Sequence, residues 1–253
     1  MLDSIKLIAR TALTGRPMPY SGLDLINRIL VASGRAPETT AAWNTWIEDL
    51  TSDSEMADAY ERAKAIIAAS WKGGETKYFV SWPERLKRSA HLVDVFYALM
   101  RALKPTKIIE TGVAFGVTSS LIVAALRHNK NGHLLSIDLP NRGQFRVGDD
   151  TGILVPNAYR DRWELVIADA VYELPVRMKD SNIDIFIHDS KHTYSHMAYE
   201  YCLAAMHLPP NGLIISDDIL WNSAFTDVMR GLKCRTFSHS RSHNLGVSII
   251  AHG

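Results

Sequence analysis

Hydrophobic positions divide the chain into two regions with different periodicity. In residues 1–105 they recur mainly at helical spacing, most clearly from Met56 to Ser70 and from Val93 to Leu103. Ser52 and Glu55 form a capping-box pattern directly before the first of these segments. We therefore predict a helical segment over residues 1–105, ahead of a second domain over residues 106–253.

The second region alternates short apolar runs with helical patterns. The apolar runs predict strands at Lys107–Glu110, His133–Asp138, Trp163–Asp169, Ile183–His188 and Gly212–Asp217. The intervening patterns predict helices at Val117–His128, Tyr172–Lys179 and Tyr194–His207. Two last runs, Cys234–Ser238 and Leu245–Ala251, flank a polar turn and predict an antiparallel hairpin. The fold class is thus α/β, with a mostly parallel sheet buried on both faces.

One connection is unusually long. Residues 140–162 are polar and contain glycine, with the apolar stretch Ile153-Leu-Val-Pro156 inside them. A connection of this length in a compact domain is often a lid or a binding loop, and a plain surface excursion is the alternative.

Composition excludes several classes of protein. The 253 residues include 28 basic and 27 acidic ones, and this balance argues against a nucleic-acid partner. No stretch approaches the roughly 20 apolar residues that span a bilayer, so no membrane partner is expected. Two cysteines and a charged N-terminus without a signal sequence suggest a reducing, cytoplasmic location. The N-terminal helices offer a contact for a homo-oligomer.

A glycine turn follows the first strand of the sheet. It runs from Glu110 through Gly112 to Gly116, and it brings backbone N–H groups and a helix N-terminus close to a ligand. The third glycine of a dinucleotide site is missing, and no lysine follows Gly116 as in a phosphate-binding loop. An acid before the turn would repel phosphate but accept an ammonium group. S-adenosylmethionine, with a cationic amino-acid end and a ribose, fits these features.

Acids also end the next two strands. Asp138 is placed to accept hydrogen bonds from ribose hydroxyls, and Asp169, next to Ala170, to accept one from an adenine amine. The carboxyl ends of parallel strands share one edge of the sheet, where such folds bind ligands. The alternative for each acid is a cap on the following helix.

The fourth and fifth strands deliver a second group of acids. Asp189 follows one strand, and Asp217 and Asp218 follow the other. Neighbouring strands lie about 4.8 Å apart, so these carboxylates can share a Mg²⁺ ion. Capping of the following helices is the alternative. His192, three residues after Asp189, is a candidate general base, with an exposed surface histidine as the alternative.

These motifs resemble known families. The stretch Glu110–Gly116 and the segment Ser136-Ile-Asp138 resemble the first two motifs of class I S-adenosylmethionine-dependent methyltransferases. The pattern Asp189-x-x-His192-x-Tyr194 followed by Asp217-Asp218 resembles the small-molecule O-methyltransferases that include macrolide-sugar methyltransferases and cephalosporin-hydroxylase-like proteins. One departure is His188-Asp189-Ser190, where many relatives have an apolar residue and a glycine around the acid.

The resemblance implies a Rossmann-like, seven-stranded sheet and a set of site residues. Its cofactor-binding residues are Glu110, Gly112, Gly116, Ser119, Asp138, Asp169 and Ala170. Its magnesium ligands are Asp189, Asp217 and Asp218, and Asp189 and His192 are its catalytic residues. The implied activity is transfer of a methyl group to a hydroxyl of a small molecule, of the sugar-containing or natural-product type. The alternative is an S-adenosylmethionine-binding or metal-dependent biosynthetic protein without methyl transfer.

Overall fold

The computed structural model describes residues 18–20, 22–70, 80–139, 151–179, 182–240, 242 and 244–250. Its N-terminal part is mainly helical, as predicted. The helices are α1 (Gly22–Ala32), α2 (Thr40–Thr51), α3 (Ser54–Ser70), α4 (Trp82–Arg88), α5 (Ala90–Leu92), a π-helix (Val93–Ala98) and α6 (Leu99–Leu103). The predicted helix from Val93 to Leu103 is therefore present, but its first half is wound as a π-helix.

The predicted capping box is wrong. The Asp53 side chain caps α3, because its Oδ1 accepts a hydrogen bond of 3.0 Å from the Met56 N–H. Ser52 instead ends α2, where its hydroxyl donates to the carbonyl of Glu48 at 2.8 Å. A carboxylate one position later takes the role that the pattern assigned to the serine.

The sheet contains all seven predicted strands and one more. In the described residues its strands are β1 (Met18–Tyr20), β2 (Lys107–Thr111), β3 (His133–Asp138), β4 (Trp163–Ile167), β5 (Ile185–His188), β6 (Leu213–Ser216), β7 (Arg235–His239) and β8 (Gly246–Ile249). Their spatial order is β1-β7-β8-β6-β5-β2-β3-β4. The strand β8 runs antiparallel to β6 and β7, and the other pairs are parallel. The fold is therefore the Rossmann-like mixed sheet that we expected, and β1 extends one edge.

The helices of the second region are α7 (Val117–Asn129), a 3₁₀-helix (Asn157–Arg162), α8 (Ala170–Met178), α9 (Tyr194–His207) and α10 (Ala224–Gly231). Alternate residues of each strand face opposite sides of the sheet. Ile108 joins the core formed with α1, α2, the π-helix and α7, whereas Ile109 joins the core formed with α8, α9 and α10. The N-terminal helices thus share a core with the sheet, and the boundary at residue 105 stays an interpretation of the sequence. Across the described ranges, no helix has the length and apolar character needed to cross a membrane.

Candidate active site

The turn between β2 and α7 is pressed against the turn after β5. Gly112 has φ +84°, and a Cβ atom there would lie 2.0 Å from the carbonyl oxygen of Asp189. Gly116 has φ +81°, and a Cβ atom there would lie 2.8 Å from the Cα atom of Gly152. A side chain fits at neither position, so both glycines allow the close approach of a second segment.

The long connection supplies that second segment next to Gly116. The N–H of Gly152 donates to the carbonyl of Ala114 at 2.9 Å, and the N–H of Leu154 donates to the carbonyl of Phe115 at 3.0 Å. Residues 151–156 therefore dock on the glycine turn. Residues 140–150 lie outside the described residues, so a lid in this connection stays a prediction.

Glu110 lies inside the protein, below the turn. Its carboxylate accepts hydrogen bonds from Thr118, Ser119 and Ser136 at 2.6–2.9 Å, and its side chain is fully buried. Burial raises the pKa of this carboxyl, and the three hydroxyls offset only part of that shift. Ser119 is buried as well. In this structure both side chains are buried below the turn and hydrogen-bonded to each other, and their contact with a cofactor stays a prediction.

A cavity of about 590 Å³ opens above the carboxyl ends of the strands. Of the residues predicted to bind a cofactor, it is lined by Gly112, Asp138, Asp169 and Ala170. Asp189 also lines it, beside three residues that the sequence analysis did not select: Ser190, Lys191 and His196. The volume lies within the range of small-molecule sites.

The two acids at the far side of this cavity are held differently. Oδ2 of Asp138 accepts hydrogen bonds from the N–H groups of Val113 and Ala114 at 3.2 and 2.9 Å, so β3 is tied to the glycine turn. Oδ1 of Asp169 accepts from the N–H of Val171 at 2.9 Å and caps α8. The capping alternative is therefore confirmed for Asp169, which lines the cavity at the same time.

His192 lies between two of the predicted metal ligands. Its Nε2 atom is 3.7 Å from Oδ1 of Asp189 and 3.5 Å from Oδ2 of Asp218. The atom is buried and has no hydrogen-bond partner among the described residues. The imidazole packs against the Trp221 ring at 5.5 Å between centroids, and the Asn222 amide donates to the His192 carbonyl at 3.2 Å. The surface alternative for His192 is thus wrong: the ring is held over the acids.

The two acids after β6 are oriented by local contacts. Oδ1 of Asp217 accepts from the N–H of Asp218 at 2.9 Å. Asp218 has φ +55°, and its Oδ1 atom accepts from the side-chain amide of Asn244. Asn244 belongs to the polar turn of the terminal hairpin, so this turn reaches the site.

Burial and neighbouring charges shift the pKa values of two residues of the site, Asp189 and His192. Burial and then the neighbouring carboxylate of Asp217 raise the pKa of Asp189 well above its usual range. Burial also lowers the pKa of His192, although the charge of Asp218 opposes this. Over the residues that the structure describes, no three His, Cys, Asp or Glu side chains are grouped to hold a metal ion. The predicted ligands Asp189, Asp217 and Asp218 are therefore brought to one edge but not into a preformed magnesium site.

A buried polar cluster lies beneath His192. At its centre is Glu200 on α9, which contacts His188 at the end of β5 and His196 on its own helix. Glu200 and His196 were not among the predicted site residues. Their signal in the sequence is a four-residue spacing within one helix, which puts the two side chains on one face.

Comparisons with known proteins agree with this geometry. Residues 109–219 match the family model of a methyltransferase domain. No curated protein sequence matches the chain.

Solved structures show the same fold at low sequence identity. An O-methyltransferase from Bacillus cereus in complex with SAH is 13% identical, with a TM-score of 0.52 over 83% of this chain and 99% of that one. The O-methyltransferase TomG from Streptomyces achromogenes, in complex with SAM, is 15% identical, with a TM-score of 0.53 over 81% and 92%. The SAH-bound methyltransferase PaMTH1 from Podospora anserina is 14% identical, with a TM-score of 0.52 over 86% and 97%.

The sheet order and the glycine turn agree with the methyltransferase domain that residues 109–219 match. The chain shares its fold with O-methyltransferases solved in complex with SAM or SAH.

Proposed function

We propose that this protein is a class I S-adenosylmethionine-dependent methyltransferase, which transfers the methyl group of its cofactor to a hydroxyl of a small molecule. The observation that carries the proposal is the position of His192. Its unpartnered, buried Nε2 atom lies next to Asp189, and Asp189 also lines the cavity beside the glycine turn. His192, the proposed proton acceptor, thus lies beside Asp189, which lines the cavity proposed for the cofactor. Methyl transfer to a hydroxyl needs a proton acceptor and the cofactor close together.

The cavity residues fit S-adenosylmethionine. In this proposal Asp138 accepts hydrogen bonds from the ribose hydroxyls and Asp169 accepts one from the adenine amine, and their place in the lining of the cavity supports both roles. Gly112, which carries no side chain, leaves room for the amino-acid end. When bound there, the cofactor supplies an electrophilic methyl group on a sulfonium.

His192 is the proposed general base. Burial lowers the pKa of its imidazole, so the ring is neutral at neutral pH and can take the proton of an acceptor hydroxyl. Loss of that proton turns a weak nucleophile into a strong one. The exposed Trp221 ring against His192 offers an apolar surface for the acceptor.

Magnesium is part of the proposal. Mg²⁺ prefers carboxylate oxygens and usually keeps several waters, so one or two of Asp189, Asp217 and Asp218 suffice to hold it without a closed ligand set. The raised pKa of Asp189, caused first by burial and then by the neighbouring carboxylates, fits this chemistry, because a bound cation would offset both effects. A bound Mg²⁺ would lower the pKa of a coordinated hydroxyl.

The acceptor is proposed to be a natural product or a sugar-containing compound. TomG, whose fold this chain shares, is involved in tomaymycin synthesis, and this supports a biosynthetic role. A homo-oligomer formed through the N-terminal helices stays a prediction.

Calorimetry and a transfer assay test the proposal. We expect S-adenosylmethionine to bind and NAD not to bind, and labelled methyl to reach hydroxyl compounds in a panel of catechols and glycosides. His192→Gln should lower kcat by about 10²- to 10⁴-fold and leave cofactor binding intact. Asp189→Asn should lower Mg²⁺-dependent turnover, with the exposed Asp161→Asn as the matched control.

Three results would count against parts of this function. Absence of S-adenosylmethionine binding refutes the whole proposal. Cofactor binding without transfer to any acceptor favours a binding protein. Full activity in EDTA would show that the metal has no part in the reaction, and His192 would then be the sole group that activates the hydroxyl.

A further inference from the structure

Glu200 accepts three hydrogen bonds and forms one ion-pair contact inside the protein. Its Oε2 atom is 2.6 Å from Nδ1 of His188 and 2.6 Å from the hydroxyl of Thr111. Its Oε1 atom is 2.9 Å from Nε2 of His196 and 3.1 Å from the hydroxyl of Ser190. The Glu200 side chain is fully buried, and the helix α9 brings it against the ends of β2 and β5. A carboxylate can be buried in this way only because several donors surround it.

The carboxylate of Glu200 is ionised at neutral pH. Burial alone would raise its pKa, but the hydrogen bonds from His188 and His196 and the charge of His188 lower it to about 2. An ionised carboxylate only accepts hydrogen bonds. Nδ1 of His188, which faces it, must therefore carry a proton. The Ser190 hydroxyl also donates to Glu200, so Nε2 of His196, 3.1 Å from that hydroxyl oxygen, must carry one as well.

The two histidines lie on different sides of the site. His196 lines the cofactor cavity. The His188 ring meets the His192 ring edge-on, with 5.5 Å between centroids and an interplanar angle of 84°. The Glu200 carboxylate thus orients two rings: His196, which lines the cavity, and His188, which packs against the proposed base His192.

We propose that Glu200 is a positioning residue for methyl transfer, which holds His196 against the cofactor and His188 beneath His192. The inference rests on the proposed function, since it assigns His192 to the acceptor side. Glu200 contacts neither the cofactor cavity nor the proposed base; it acts through the orientation of the two rings.

The variant Glu200→Gln tests this directly. A glutamine amide offers one acceptor oxygen and one donor NH₂ group, so it cannot accept from both rings. One of the two histidines must then change its tautomer or lose its hydrogen bond. We expect the ¹⁵N spectrum of histidine-labelled protein to show protonated His188 Nδ1 and His196 Nε2 in the unmodified chain, and a changed tautomer at one of them in the variant.

The kinetic expectation follows from the same change. Loss of one charge-assisted hydrogen bond should lower kcat/KM by about 10- to 100-fold, with effects on both the KM for the cofactor and kcat. The matched control is Tyr201→Phe, on the same helix as Glu200. It removes the buried 2.6 Å hydrogen bond with Ser216 of β6 but keeps the ring that contacts His188. We expect the control to stay within about threefold of the unmodified enzyme.

The outcomes separate this inference from the proposed function. An unmodified chain that binds S-adenosylmethionine and transfers methyl, beside a Glu200→Gln variant with equal kinetics, overturns the positioning role alone. If the variant does not fold, the spectrum of the unmodified chain decides: an unprotonated His196 Nε2 atom overturns the inference. An unmodified chain that does not bind S-adenosylmethionine refutes the proposed function instead.

Discussion

The contact between Gly112 and Asp189 allows a quantitative test of how the site is assembled. In Gly112→Ala, the new Cβ atom would lie 2.0 Å from the Asp189 carbonyl oxygen and 2.4 Å from its carbonyl carbon, at a φ of +84°. Two costs add. A left-handed conformation costs an alanine about 1 kcal/mol, and the overlap with backbone adds about 1–3 kcal/mol. We expect Gly112→Ala to lower the free energy of unfolding by about 2–4 kcal/mol.

A variant at a second glycine separates the conformational cost from the cost of the overlap. Gly34 has φ +74°, and a Cβ atom added there would meet no atom within 4 Å, so Gly34→Ala should lose only the conformational part, about 1 kcal/mol. Urea unfolding of both variants, followed by circular dichroism, measures the difference. Calorimetry with S-adenosylmethionine should show weaker binding for Gly112→Ala alone, because the overlap displaces Asp189 in the cavity. Equal destabilisation of the two variants would refute the close approach.

Three further predictions concern other buried contacts. The pKa of Glu200, about 2, lies below its unfolded value, so its stabilisation is present above pH 4.5 and is lost as the pH falls towards 2. Urea unfolding at pH 7 and pH 4 should therefore show a gap between the unmodified chain and Glu200→Gln that is smaller at pH 4; a constant gap would contradict this. Trp163→Phe removes the 2.9 Å hydrogen bond from its indole to Ser136 and should cost about 1 kcal/mol of unfolding free energy, seen as a lower Tm. Tyr159→Phe removes the 2.8 Å hydrogen bonds to the buried Asp53 and should cost about 1–3 kcal/mol, whereas an unchanged Tm would exclude this link between the 3₁₀-helix and α3.

The sheet could be predicted because its signals are local. The strands β2, β3, β5 and β6 are short, mostly buried apolar runs, and the two hairpin strands flank a polar turn. The strand β1 carries no such signal. Its three residues pair with β7, more than two hundred residues away, and only tertiary contacts define it.

The site could be predicted in position but not in every contact. Acids at strand ends share an edge by topology, and Asp138 and Asp169, both predicted for the cofactor, line one cavity there. Asp189, predicted as a metal ligand, lines the same cavity. The direction of a side chain depends on register. Glu110 pairs with Ser136 across β2 and β3, and this register turns its carboxylate into the protein. Glu200 was missed because only its four-residue spacing to His196 is a local signal, whereas its partner Thr111 lies 89 positions away in the chain.

The charge of the cavity narrows what it can hold. Three carboxylates line it, those of Asp138, Asp169 and Asp189, and Lys191 is the one lysine or arginine among its described lining residues. A pyrophosphate or triphosphate would face net repulsion there, because like charges in a partly buried site repel strongly. A ligand with an ammonium, a sulfonium and ribose hydroxyls gains from the same carboxylates. The acidity of the site therefore supports S-adenosylmethionine over a dinucleotide, independently of the glycine spacing in the turn.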